Sequence, residues 1–128
     1  MIRKMEHVSI MVRDMDQSIR FYSEIFGFNV RLRGSKSDRE MAFLYLESQP
    51  DMEIELIHEK KEKLKYIETG IVNHLAFTVE NIDETIQFLK EKEIIVTSDM
   101  VKPTLDGGRM IFFHGPSREL LQLVEKVK

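Results

Sequence analysis

Two stretches decide how this chain is read: "MEHVSIMVRDMDQSIRFY", residues 5–22, and "VNHLAFTVENIDETIQFL", residues 72–89. Each sets a histidine at the head of an apolar run and follows it with a helix start. Val8, Ile10 and Val12 form one apolar face of the first run, and His7, Ser9 and Met11 lie opposite. In the second run Leu75, Phe77 and Val79 oppose His74, Ala76 and Thr78. The apolar faces are expected to pack under a helix, leaving the mixed faces to look elsewhere.

The spacing extends well beyond the two stretches. Sixty-seven residues separate His7 from His74, and the same offset pairs Val12 with Val79, Asp16 with Asp83, Ile19 with Ile86, Phe21 with Phe88 and Glu24 with Glu91. It also lays "AFLYLE" at Ala42 on "RMIFFH" at Arg109, and "EIEL" at Glu53 on "LLQL" at Leu120, without a gap. An internal repeat read this way predicts one module written twice.

Within the first module, Asp14 or Asp16 can cap a helix with a stripe of Ile19, Tyr22, Ile25 and Phe26, stopped at Gly27. Strands are expected near 28–34, 40–47 and 52–58. The second module should have a strand at 73–80 and a helix near 83–93, with Ile82, Ile86, Leu89 and Phe88 inward. Strands near 94–101, 109–114 and 119–126 follow. The order is βαβββ, twice. This predicts an α+β fold, two tandem modules (about 1–60 and 70–128) forming a curved mixed sheet around a cleft, in one domain over 1–128. The charged run "HEKKEKLKYIETG" reads as a solvated linker.

Composition narrows the partners. A net charge of −3 argues against nucleic acid, which wants a basic face. The absence of cysteine excludes disulfides and thiolate metal sites and fits a reducing cytoplasm. The opening "MIRKMEHVSI" is too short in apolar residues for a signal-peptide core, and no run reaches membrane-spanning length, so a cytoplasmic protein with no membrane partner is expected.

The repeat also pairs Glu55 with Gln122. Each module thus offers a histidine from its first strand and a Glu or Gln from its fourth. If those strands are neighbours, each pair is adjacent. A charged Glu between Ile54 and Leu56 needs a partner, and a metal ion is one candidate.

On "HVSIMVRDMDQSIRFYSEIFGF", "MEIELI", "NHLAFTVENIDETIQFL" and "GPSRELLQLVE", the whole chain resembles the vicinal oxygen chelate superfamily of glyoxalase I, bleomycin-resistance proteins and extradiol dioxygenases. The resemblance implies a small-molecule substrate, a homodimer and paired βαβββ modules. It implies metal ligands at His7, Glu55 and His74, with Gln122 where glyoxalase I has a second Glu. The ion would be nickel, cobalt, zinc, manganese or iron. The implied activity is that of a glyoxalase-like lyase or isomerase, similar to lactoylglutathione lyase. It would move a proton next to a metal-chelated carbonyl, with Glu55 as catalytic base. Met11, Phe43 and Tyr45 would line the substrate cavity.

The chain departs from the glyoxalase pattern in four places. Gln122 cannot act as a base; Met11 stands where a glutathione-binding Arg is expected; "LIHEKK" replaces an Asn-containing stretch; and "GPSR" replaces the usual turn. These fit a glyoxalase-like site better than a glutathione-specific one. The alternatives are a non-catalytic small-molecule binding or resistance protein of the same fold, and an iron-dependent dioxygenase. His58 and His114 read as ordinary surface or hydrogen-bonded histidines, and Arg109 as part of a solvated turn.

Overall fold

Apolar alternation and two capped helices build the same plan twice. The computed structural model describes Met1 and residues 5–60, 72–96 and 100–127. It divides into two compact units, Met1–Lys65 and Tyr66–Lys128. The linker run falls largely on residues 61–71, outside the described residues. The fold class is α+β, with one helix and one four-stranded mixed sheet per unit.

The first unit contains β1 (His7–Met11), α1 (Met15–Phe26), β2 (Asn29–Ser35), β3 (Arg39–Leu46) and β4 (Gln49–Glu59). Its sheet order is β1-β4-β3-β2, with β1 and β4 parallel and the other pairs antiparallel. Of the two candidate caps, Asp14 is the one used: its side chain accepts the Gln17 N–H at 2.9 Å. Gly27 closes the helix at φ 76°, a conformation that glycine enters without a Cβ penalty. The fully buried stripe of α1 is Met15, Ser18 and Tyr22; the expected Ile19, Ile25 and Phe26 flank it half-buried. These side chains meet a sheet face on which Ala42, Leu44, Ile54 and Leu56 are buried.

The second unit contains β5 (Leu75–Thr78), α2 (Ile82–Glu91), β6 (Lys102–Pro103), β7 (Arg109–His114) and β8 (Leu120–Glu125). Its order is β5-β8-β7-β6, with β5 and β8 parallel. Asn81 caps α2 by accepting the Glu84 N–H at 3.1 Å, and Ile82 and Leu89 are its buried residues. Of the strand expected over 94–101, the described residues show Val96 in an isolated bridge to Phe113; β6 is Lys102–Pro103, and residues 97–99 lie outside the described set. Pro103 lacks the N–H a longer ladder would need, which keeps this an edge segment.

The repeat is not gapless in space. Ala42 faces Leu56 and Phe43 faces Glu55 across β3–β4. The matching pairs across β7–β8 are Ile111 with Leu123 and Phe112 with Gln122. The β4 and β8 residues are 67 apart in the chain, but the β3 and β7 residues are 69 apart. The first hairpin is longer by two residues and carries a register irregularity between Tyr45 and Leu46. A slip of two preserves which side chains point inward, so apolar matching along the chain does not detect it.

Leu56 is fully buried at the centre of the first sheet. Leu56→Ala is expected to cost about 2–5 kcal/mol, and Asp14→Ala about 1 kcal/mol through the lost cap. Urea unfolding of the two variants beside the parent chain checks both magnitudes.

Candidate functional site

The parallel pairing of β1 with β4 sets His7 beside Glu53, Ser9 beside Glu55 and Met11 beside Ile57. From the other side, β3 sets Tyr45 beside Glu53 and Phe43 beside Glu55. All these residues lie on the sheet face opposite the helix. The Ser9 hydroxyl donates to Glu55 Oε1 at 2.6 Å, and His7 Nε2 lies 3.6 Å from the same oxygen. The Glu55 side chain is 12% exposed. The imidazole of His7 stands edge-on to Phe43, with ring centroids 5.7 Å apart and planes at 87°. Next to this group, Arg31 donates through Nε and Nη2 to the two oxygens of Glu53 at 2.6 and 2.9 Å, and its guanidinium lies 5.1 Å from the Phe43 centroid. The hydrogen bond to Glu53 raises the Arg31 pKa above its ordinary value.

The second unit repeats the arrangement with other chemistry. Ala76 and Phe112 both face Gln122 in register. His74 stands edge-on to Phe112, at 5.3 Å and 86°. Gln122 is buried, between Leu121 and Leu123 in sequence, and its Nε2 donates to Met110 Sδ at 2.8 Å.

Both histidines are fixed through Nδ1. That of His7 lies 3.1 Å from Glu6 Oε1, and that of His74 lies 2.9 Å from Asn73 Oδ1. Carboxylate and amide oxygens only accept, so each Nδ1 carries the proton. In the neutral ring Nε2 is then a lone pair, the form in which histidine binds metals. In the first unit this lone pair faces Glu55 Oε1, an acceptor, at a distance too long for a hydrogen bond between them. Two acceptors facing one another suit a shared cation, so the donor chemistry fits a divalent metal. The first unit supplies these donors as a His–Glu pair; in the second, His74 directly precedes β5 and Gln122 lies on β8, the strand paired with it. Among the described residues there is no group of three or more His, Asp or Glu suited to an ion.

The remaining candidates fall as follows. Met11 is exposed on the same face as His7, and Tyr45 is half-buried on it. His58 Nδ1 is 3.1 Å from the Val12 carbonyl, and His114 is exposed at the end of β7. Arg109 is not in a solvated turn: it sits in β7 and pairs with Asp83 at 2.7 Å and Glu125 at 3.5 Å. Glu125 also accepts the Ile82 N–H at 2.8 Å, which ties this cluster to the start of α2. Sequence reading missed Ser9, Glu6, Asn73, Met110 and Arg31. Ser9 had a usable signal, since it shares the alternating face of His7. Arg31 had none, because it lies in a β-bulge that breaks the period of two.

Comparison with known proteins identifies the family. The model of the Glyoxalase/Bleomycin resistance protein/Dioxygenase superfamily matches residues 6–113. The chain belongs to this superfamily. It is 30% identical to the uncharacterized protein YwkD of Bacillus subtilis, covering 98% of this chain and 99% of that one. Lactoylglutathione lyase of Schizosaccharomyces pombe is 26% identical over 96% of this chain, which spans 47% of the lyase. Mitochondrial methylmalonyl-CoA epimerase of Bos taurus is 25% identical over 87% of this chain and 66% of the epimerase. Among solved structures, a glyoxalase family protein from Enterococcus faecalis superposes with a TM-score of 0.80 at 29% identity, covering 96% of this chain and 98% of that one. Among the described residues, no helix is long and apolar enough to cross a membrane.

Nitrogen-15 NMR of the two imidazoles is expected to show both neutral rings protonated at Nδ1. Asn73→Ala should release His74 into a mixture of tautomers and leave His7 unchanged; Glu6→Ala should do the converse.

Proposed function

We propose that the chain is a metal-dependent enzyme that moves a proton at a carbon next to a chelated carbonyl, as a glyoxalase-like lyase or isomerase. The observation that carries this reading is that His7 Nε2 lies 3.6 Å from Glu55 Oε1 while Glu6 holds its Nδ1 from behind. In the proposal the metal-holding residues are His7 and Glu55 of the first module and His74 and Gln122 of the second. His7 and His74 supply nitrogen, Glu55 a carboxylate oxygen and Gln122 an amide carbonyl oxygen. A bound divalent ion would act as a Lewis acid on two adjacent substrate oxygens. Nickel, cobalt, zinc, manganese and iron all suit this donor set.

Glu55 is the proposed base. Ser9 occupies Oε1, and among the described residues no group bonds Oε2, which leaves that oxygen to receive a proton. Gln122 cannot take that role. Phe43 and Phe112 hold the edges of the two imidazoles, and Met11 and Tyr45 border the substrate. Two relatives of different named activity, a lactoylglutathione lyase and a methylmalonyl-CoA epimerase, support the class of reaction more than any one substrate. A homodimer and a cytoplasmic location belong to the same proposal.

Metal analysis of the dialysed protein should find about one divalent ion per chain, lost in the His7→Ala/His74→Ala double variant. Glu55→Gln should lower turnover of a hemithioacetal substrate by roughly 10²–10⁴-fold. A wild-type protein that takes up none of the five metals would overturn the reading and favour a metal-free binding protein.

A further inference from the structure

We infer that Arg31 forms an anion subsite beside the His7–Glu55 pair and selects substrates that carry a carboxylate. Three observations lead there. Arg31 is the extra residue of a bulge: Val30 pairs with Leu44 and Leu32 with Phe43, so nothing opposes position 31. Bulges re-aim side chains, and this one sends Arg31 across β3, over the ring of Phe43, to Glu53 on β4. Glu53 is the in-register neighbour of His7, so the guanidinium ends one strand from the histidine.

The guanidinium is held but not used up. Glu53 takes the side-on edge, Nε and Nη2. Among the described residues Nη1 has no partner, so the end-on Nη1–Nη2 edge is open. That edge matches the two oxygens of a carboxylate. The exposures agree: the Glu53 side chain is 12% exposed and that of Arg31 is 51%. Glu53 works as the anchor and Arg31 as the half-solvated head. Charge favours a carboxylate over a phosphate. Glu53 already balances Arg31, and Glu55 and Glu6 lie near the same face, so a monoanion meets less repulsion than a dianion. In the second module Arg109 pairs with Asp83 and Glu125, and Arg118 lies between β7 and β8, so among the described residues the subsite belongs to the first module. The assignment of this anion as part of the substrate rests on the chelate reading above; the subsite itself does not.

The test uses the full chain and two sets of probes. In the first, the Arg31 Nε–H signal, assigned with Arg31→Gln, is followed by NMR during titration with propionate, propionamide and methyl phosphate. A saturable shift with propionate, weaker with methyl phosphate and absent with propionamide, is expected. An equal response to propionate and propionamide overturns the subsite, and a stronger response to methyl phosphate overturns its carboxylate class. In the second, the protein loaded with a divalent metal is titrated calorimetrically with the monohydroxamate of succinic acid and with its uncharged amide. The acid should bind about tenfold more tightly, the worth of one charge-assisted hydrogen-bond pair. Arg31→Gln should remove that preference and leave the amide's affinity unchanged, and Arg31→Lys should restore little of it. A preference that survives in Arg31→Gln overturns the inference. If neither hydroxamate binds while the propionate shift persists, the chelate reading falls and the anion subsite stands.

Discussion

The parallel pairing of the first and fourth strands of each module is the constraint on which the rest depends. A hairpin cannot join parallel neighbours; the chain has to cross over and return. In the first unit α1, β2 and β3 make that crossing, and they bring Ser9 within 2.6 Å of Glu55 although 46 residues separate them. The pairing fixes which residues share a row, and alternation fixes which face they share. His7, Ser9, Glu53 and Glu55 are therefore on the face away from the helix because Val8, Ile10, Ile54 and Leu56 are on the face toward it. The buried apolar face and the polar pair are consequences of one register. A slip of one residue would exchange them.

The two modules show which parts of that register are held. The β3–β4 and β7–β8 hairpins differ by two residues, yet each presents a phenylalanine at the row of its Glu or Gln. Each phenylalanine meets its histidine edge-on, at nearly the same distance and angle. Each histidine is also held at Nδ1 by the residue before it, Glu6 in one case and Asn73 in the other. Different residues thus hold Nδ1 in the two modules, and what recurs is that bond together with the edge-on phenylalanine.

Much of this could be read along the chain. Period-two alternation, the helix starts and the glycine stop at Gly27 are local, and local signals survive in sequence. The equivalence of His7 with His74 and of Glu55 with Gln122 followed from one offset, because the crossover length from first to fourth strand is the same in both modules. What escaped was non-local or aperiodic. The two-residue slip preserves alternation, so it left the apolar pattern intact. Arg31 sits in a bulge, and its partner Glu53 lies two strands away. Arg109 looked like a turn residue because "DGG" precedes it, but the turn ends there and the strand begins.

The difference between Glu55 and Gln122 is matched by the residues around each. A carboxylate only accepts, and Ser9 supplies the donor; the equivalent residue in the second module, Ala76, could not. An amide also donates, and the thioether of Met110 takes its Nε2, leaving the carbonyl oxygen without a partner among the described residues. A carboxylate at position 122 would face a sulfur lone pair with no hydroxyl beside it. The neutral residue is therefore suited to its surroundings. It also changes the charge. In the proposed site, one carboxylate around a divalent ion would leave a net positive centre, where two would leave it neutral. A positive centre attracts negative charge developing on a substrate as a proton leaves, and it favours substrates that arrive with a negative charge of their own. That would be the electrostatic setting in which an open arginine edge, one strand from His7, has something to select.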